Sequence, residues 1–90
     1  AEAEEWGMVN RVVAPIHLME VAIGLAQEIA AKGPIAVRHT KRAVDIGYSQ
    51  PILAALKTEI KDYNQVIKTK DRIEGILAFN EKRKPDFKNT

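Results

Sequence analysis

Apolar residues recur at helical spacing in four stretches of this chain. Leu18, Ala22, Leu25, Ala26 and Ile29 trace one stripe and predict an amphipathic helix over 15–32. Ala36, Val37, Thr40, Ala43 and Val44 share one side of a second helix over 34–46. Leu53, Leu56, Ile60, Tyr63 and Ile67 alternate by three and four over 51–68, a narrow heptad seam suited to packing along another helix, including one from another subunit. Ile73, Ile76 and Leu77, with the stem of Asn80, form the stripe of a fourth helix over 70–84. Before these lies Met8 to Val13, short, β-branched and bounded by Gly7 and Pro15, which reads as a strand. It has no partner in this sequence. Its N–H and C=O groups are expected to pair outside the chain, or to fray, because unpaired buried backbone is costly. The fold class expected is mainly α: four helices after one short N-terminal strand.

Local signals mark the ends. Ala1 to Trp6 reads as the end of a helix, with Gly7 at the left-handed C-terminal position. Gly33-Pro34 ends one helix and starts the next, and Gly47 closes that one. Thr69 can cap the fourth helix through its hydroxyl, and Asp71 sits in the first turn, where the helix dipole favours an anion. Lys82, Arg83 and Lys84 are placed in the last turn, and Pro85 stops the helix.

The fourth helix has a second face, with Gly75, Ala78, Phe79 and Lys82 on or beside it. Glycine in mid-helix costs roughly 1 kcal/mol against alanine, so something is expected to approach closely at Gly75. Two small residues, an aromatic ring and an ammonium could receive a flat anionic group. The alternative is that Phe79 packs in a core and Lys82 is solvated.

Composition narrows the classes. At 90 residues, 46% hydrophobic and 29% charged, the chain has the make-up of one small globular unit or a piece of a larger one. A net charge of +2 does not by itself argue for nucleic acid or membrane. The absence of cysteine excludes disulfides and thiolate metal sites. No apolar run approaches the ~20 residues that span a bilayer, and the N-terminus does not read as a signal peptide.

No reaction centre emerges. His17 and His39 are not spaced as metal ligands with any carboxylate and read as surface or structural histidines. Ser49 sits in a turn without a neighbouring base. Glu59 with Asp62, and Glu74 with Glu81, are expected on exposed helix positions, with nothing to suggest that they converge as an acid–base pair. The basic cluster of Arg38, His39, Lys41 and Arg42 reads as a solvated face. The residues alone describe an α-helical interaction or ligand-capping module, with no catalytic residue and no metal site.

Three strings say more than their periodicity: Trp6-Gly-Met-Val-Asn-Arg-Val-Val13; Ile29-Ala-Ala-Lys-Gly-Pro-Ile-Ala-Val37 with Lys41; and Thr69-Lys-Asp-Arg-Ile-Glu-Gly-Ile-Leu-Ala-Phe-Asn-Glu-Lys-Arg-Lys-Pro85. In order and spacing they resemble the C-terminal third of the enoyl-CoA hydratase/isomerase (crotonase) superfamily, nearest the enoyl-CoA hydratase and methylglutaconyl-CoA hydratase subgroups. Met8 stands where leucine is usual, Gly33 where serine is common and Lys70 where an acidic residue is frequent. The resemblance implies a C-terminal helical region of a spiral α/β fold. Residues 1–14 would end the core, and 15–90 would form a helical capping and trimerisation domain. It implies a parent that adds water to 2-enoyl-CoA thioesters, with catalytic glutamates and an oxyanion hole upstream of these motifs.

The resemblance also carries Phe79 and Lys82 over as contacts to the adenine and phosphate end of coenzyme A, which is bound mainly by a neighbouring subunit. No cofactor is implied beyond the acyl-CoA substrate. The implied partners are the parent core and neighbouring subunits of a homo-oligomer, without a membrane, in the cytoplasm or the mitochondrial matrix. The alternative is a free-standing helical binding module. One member type of the family binds RNA, and Glu81 to Lys88 holds four basic and two acidic residues, a thin basis for phosphate contacts. Nucleic acid is therefore the less favoured partner.

Overall fold

The computed structural model describes residues 1–90. After α1 (Glu2–Glu5), a 3-10 turn at Pro15–His17 leads into α2 (Leu18–Ala30). Then come α3 (Pro34–Gly47), α4 (Ile52–Val66) and α5 (Lys70–Asn80). The four stripes thus fall on four helices, each close to its expected bounds. Pro15 supplies a first-turn residue whose missing N–H has no helical partner to lose, and Pro34 does the same for α3. No helix is long and apolar enough to cross a membrane.

The expected strand over 8–13 does not form. Residues 8–10 bend, residues 11–14 have no regular structure, and Ala14 is extended ahead of Pro15. A β-branched run supplies the propensity for a strand but not the second strand whose N–H and C=O groups would define it. Within these 90 residues no segment offers that edge.

α3 and α4 make the one extensive helix–helix contact and form an antiparallel hairpin through residues 48–51. Gly47 near the turn faces Ala55, whose Cβ would lie 3.5 Å from a Cβ added to the glycine, while His39 further back faces Asp62. The small residues at 47 and 55 let the two backbones close at the turn end. α5 is held differently, by the tail that follows it. The carboxylate of Asp71 accepts the backbone N–H groups of Lys88 (2.7 Å) and Asn89 (2.8 Å), and the Asp71 N–H donates to the Thr90 carbonyl. Arg38 of α3 donates to the Asn89 side chain at 2.7 Å. Asp71 therefore does more than complement the dipole of its helix: it anchors the C-terminus.

The result is a plate rather than a ball. The extents are 42 × 39 × 19 Å, and the radius of gyration is 16.5 Å. A self-contained domain of this length would have about 12 Å. Ala78, 1% exposed, is the single buried hydrophobic residue. The stripes that mark the helices face outward: Leu53 is 72% exposed, and Leu56, Ile60, Tyr63, Ile73, Ile76 and Leu77 are exposed as well. Helical periodicity located these faces of α4 and α5, and nothing in the chain buries them, whereas Ala36, Val37 and Ala43 of the α3 stripe are half-buried.

Candidate functional site

Phe79 and Lys82 lie at the C-terminal end of α5. Phe79 is 84% exposed, so no residue of this chain covers it. The rest of the expected face is arranged differently. Ala78 is buried, and Gly75 is half-buried under the ring of Phe87, whose Cε1 would lie 3.5 Å from a Cβ on the glycine. The close approach anticipated at Gly75 is made by the chain's own tail. The same ring lies 3.8 Å from a Cβ on Gly33, so Phe87 joins α5 to the start of α3. What remains open is the aromatic ring of Phe79 and the ammonium of Lys82.

Lys82 is not in the last turn of α5, nor are Arg83 and Lys84. The helix ends at Asn80 because the chain reverses at Lys82, with φ +54°, before Pro85 is reached. Lys82 N–H donates to the Phe79 carbonyl (3.2 Å), and Arg83 N–H donates to the Ala78 carbonyl (3.0 Å). These are the paired bonds of a left-handed helix cap, a position that glycine usually takes. A residue with a Cβ held there costs on the order of 1–2 kcal/mol. Where such a cost is retained, it commonly marks a functional site.

The turn is braced from both sides. Arg83 forks onto Glu74, with Nη1 2.6 Å from one carboxylate oxygen and Nη2 3.0 Å from the other, and its Nε donates to Glu81. Glu74 also accepts the N–H of Asp86 at 2.8 Å. The Arg83 guanidinium, with the Asp86 N–H, holds the Glu74 carboxyl down at about 2, and Glu74 in turn raises Arg83. Glu74 and Glu81 both accept from the Arg83 guanidinium, so they meet there and not as an acid–base pair. Asp86 likewise raises the pKa of Lys88.

A second polar cluster lies between α3 and α4. Asp62, expected to be exposed, is 2% exposed. Its carboxylate accepts from His39 Nδ1 at 2.7 Å and from Arg42 Nη1 at 2.6 and 2.7 Å. The bond from His39, then the Arg42 contact, keeps the Asp62 carboxyl below the ordinary carboxylate range against the opposing effect of its burial. The basic side of α3 is therefore only partly a solvated face: two of its residues turn inward to satisfy a buried charge. Both carboxylate oxygens accept hydrogen bonds from α3, so Asp62 ties α4 to α3.

The other candidates are structural. His17 pairs with Glu20 at 3.5 Å on the surface, and Ser49 donates to the Ile46 carbonyl. Thr69 caps α5 as expected, accepting from Arg72 N–H at 3.2 Å. No group of three or more His, Cys, Asp or Glu side chains converges in a way that could hold a metal ion. The sequence reading missed the Asp62 cluster, the Glu74–Arg83 fork and Phe87. Only the last left a signal, an aromatic residue just past Pro85.

All of residues 1–90 match the family model described as enoyl-CoA hydratase/isomerase. The chain is 44% identical over 91 residues to the mitochondrial enoyl-CoA hydratase domain-containing protein 2 of Mus musculus, covering 97% of this chain and 31% of that protein. It is 45% identical over 67 residues to the mitochondrial methylglutaconyl-CoA hydratase of Homo sapiens, covering 74% of this chain and 20% of that one. Among solved structures, the enoyl-CoA hydratase from Bacillus anthracis superposes with a TM-score of 0.94 at 46% identity. That match covers 99% of this chain and 34% of the other. The chain thus spans about a third or less of the length of the proteins it resembles.

Proposed function

The chain belongs to the enoyl-CoA hydratase/isomerase family, and from that premise we propose that it is the C-terminal helical region of a hydratase that adds water to 2-enoyl-CoA thioesters. The acid–base groups and the oxyanion hole come from outside this chain. Its own contribution is twofold. Phe79 and Lys82 contact the adenine and phosphate end of coenzyme A, and the outward apolar faces of α4 and α5 meet the parent core and neighbouring subunits of a homo-oligomer. The substrate carries the coenzyme, and no further cofactor is needed.

The observation that supports the ligand role is the state of Lys82. Its side chain is retained at a left-handed backbone position where glycine would be easier, beside an aromatic ring that is open to solvent. A base can stack on the ring, and an ammonium can donate to phosphate oxygens. Those are the groups that distinguish coenzyme A from its pantetheine portion.

The test uses the full-length hydratase carrying this sequence. Phe79→Ala and Lys82→Ala should each raise KM for crotonyl-CoA roughly five- to tenfold, in line with the loss of one stacking or charge-assisted contact. The rise should disappear when the substrate is crotonyl-pantetheine, which lacks adenine and the nucleotide phosphates. Equal changes with both thioesters, or no change with either, would remove the assignment. The 90-residue chain by itself should give no turnover of crotonyl-CoA.

A further inference from the structure

We infer that Glu74 is a positioning residue for Lys82, acting through the Arg83 fork to hold the left-handed turn from which the ammonium projects. This rests on the reading of Lys82 as a coenzyme A contact. Two helix-ending turns of this chain share one hydrogen-bond pattern. At the end of α1, Gly7 N–H donates to the Glu4 carbonyl and Met8 N–H to the Ala3 carbonyl, with Gly7 at φ +71°. No side-chain pair braces that turn, and a glycine needs none.

At the end of α5 the same turn is made with lysine at φ +54°. Here the next residue is clamped: Arg83 sets two nitrogens on the two oxygens of Glu74, at 2.6 and 3.0 Å. Glu74 takes the Asp86 N–H as well, so the chain on the far side of Lys82 is tied back along the helix at two points. A planar fork fixes direction as well as distance, which a single point charge would not do. With Arg83 and Asp86 so placed, the backbone between Glu81 and Arg83 is held to the tight reversal that the positive φ supplies. The clamp offsets the steric cost of a Cβ at that station, and the site keeps an ammonium where a purely structural turn would carry glycine.

The experiment combines amide hydrogen exchange with kinetics in the full-length hydratase, comparing Glu74→Gln, Lys82→Ala and the double variant. Glu74→Gln keeps the shape but removes the charge and turns one acceptor oxygen into an N–H donor, so one arm of the fork is lost. It should speed exchange of the Arg83 amide, which donates to Ala78, at least tenfold. It should raise KM for crotonyl-CoA severalfold with no matching rise for crotonyl-pantetheine, and it should add nothing to the KM of Lys82→Ala. Arg83→Lys, which keeps the charge but loses the fork, should behave in the same way. Faster exchange with an unmoved KM would overturn the positioning role, as would a Glu74→Gln effect that adds in full to that of Lys82→Ala. If Lys82→Ala itself leaves KM for crotonyl-CoA unchanged, both the positioning role and the ligand reading fall. The exchange rates would then still tell whether the clamp holds the turn.

Discussion

Lys82 stands in α5 where Gly7 stands in α1: each is the left-handed residue that closes a helix, and only one of them lacks a Cβ. The comparison predicts a conflict between stability and binding. Lys82→Gly should stabilise the end of α5 by about 1 kcal/mol, because the steric cost of the Cβ is removed. The same change should weaken use of coenzyme A thioesters as much as Lys82→Ala does. Slower exchange of the Arg83 amide together with a raised KM is the expected pair of results. A turn no more stable with glycine would mean that the lysine sits there without cost.

Gly75 gives a prediction of the opposite kind. Its added Cβ would meet Phe87 Cε1 at 3.5 Å and Cζ at 3.7 Å, ordinary contact distances. Gly75→Ala should therefore be accepted, and helix propensity should make it stabilising by about 0.5–1 kcal/mol. Phe87→Ala should cost about 1–2 kcal/mol, since the ring is only partly buried. It should also loosen the tail from α5 and from Gly33. Thermal melts of the two variants should move in opposite directions.

Asp62 and its two donors predict a marked contrast between two ion pairs on α3. The exposed Lys41–Asp45 pair, at 3.1 Å, should matter little, and Lys41→Ala should change stability by less than about 0.5 kcal/mol. Asp62→Asn should lower the melting temperature far more. It leaves the Arg42 guanidinium without its carboxylate in a part-buried site and sets an amide nitrogen against donors. Equal melts for the two variants would show that the cluster does not tie α3 to α4.

These residues also show how far the sequence was legible. The helices were, because apolar positions at steps of three and four have one regular solution, and Thr69 was, because a cap is a local event. Asp62 was not. Its partners lie 20 and 23 positions away, and only the α3–α4 hairpin brings them to it. Residues 8–13 fray, the outcome expected without a partner from outside the chain, because propensity is local while a strand is a pairing. The end of α5 was placed too late because Pro85 is an obvious stop and a left-handed lysine is not. The Glu74 fork was hidden for the same reason, since it depends on where the chain turns. Phe79 and Lys82 are candidates from the make-up of their helix face, and the family resemblance is what names coenzyme A as the ligand. Periodicity alone did not distinguish them from an ordinary helix face.

Acid should test the Glu74 clamp directly. The carboxyl is held at about 2, below its ordinary 4.5, by Arg83 and the Asp86 N–H. A depressed carboxyl contributes fully above its unfolded value and loses the contribution as pH falls through the folded one. Protection of the Arg83 amide should therefore be flat above about pH 4.5 and should decline from there toward pH 2. Glu74→Gln should remove that dependence. Asp62 is depressed in the same direction, so the global melt should keep an acid limb in that variant, and only the local protection should lose it.

The outward stripe of α4 carries the last prediction. Leu53, Leu56, Ile60 and Tyr63 are all exposed, and Leu56 and Tyr63 also line the groove between α4 and α3. A chain with one buried hydrophobic residue has too little core to be stable alone, so this surface should seek cover. In sedimentation, the isolated chain should self-associate in a concentration-dependent way, or remain loosely packed without a sharp melt. Leu56→Asp should abolish the association, because it would bury an unpaired carboxylate in an apolar contact. Lys82→Ala, at the far end of α5, should leave the association as it is. A compact monomer with a cooperative melt and no dependence on concentration would mean that the stripe folds inward in solution. The assignment of α4 to an interface would then be wrong.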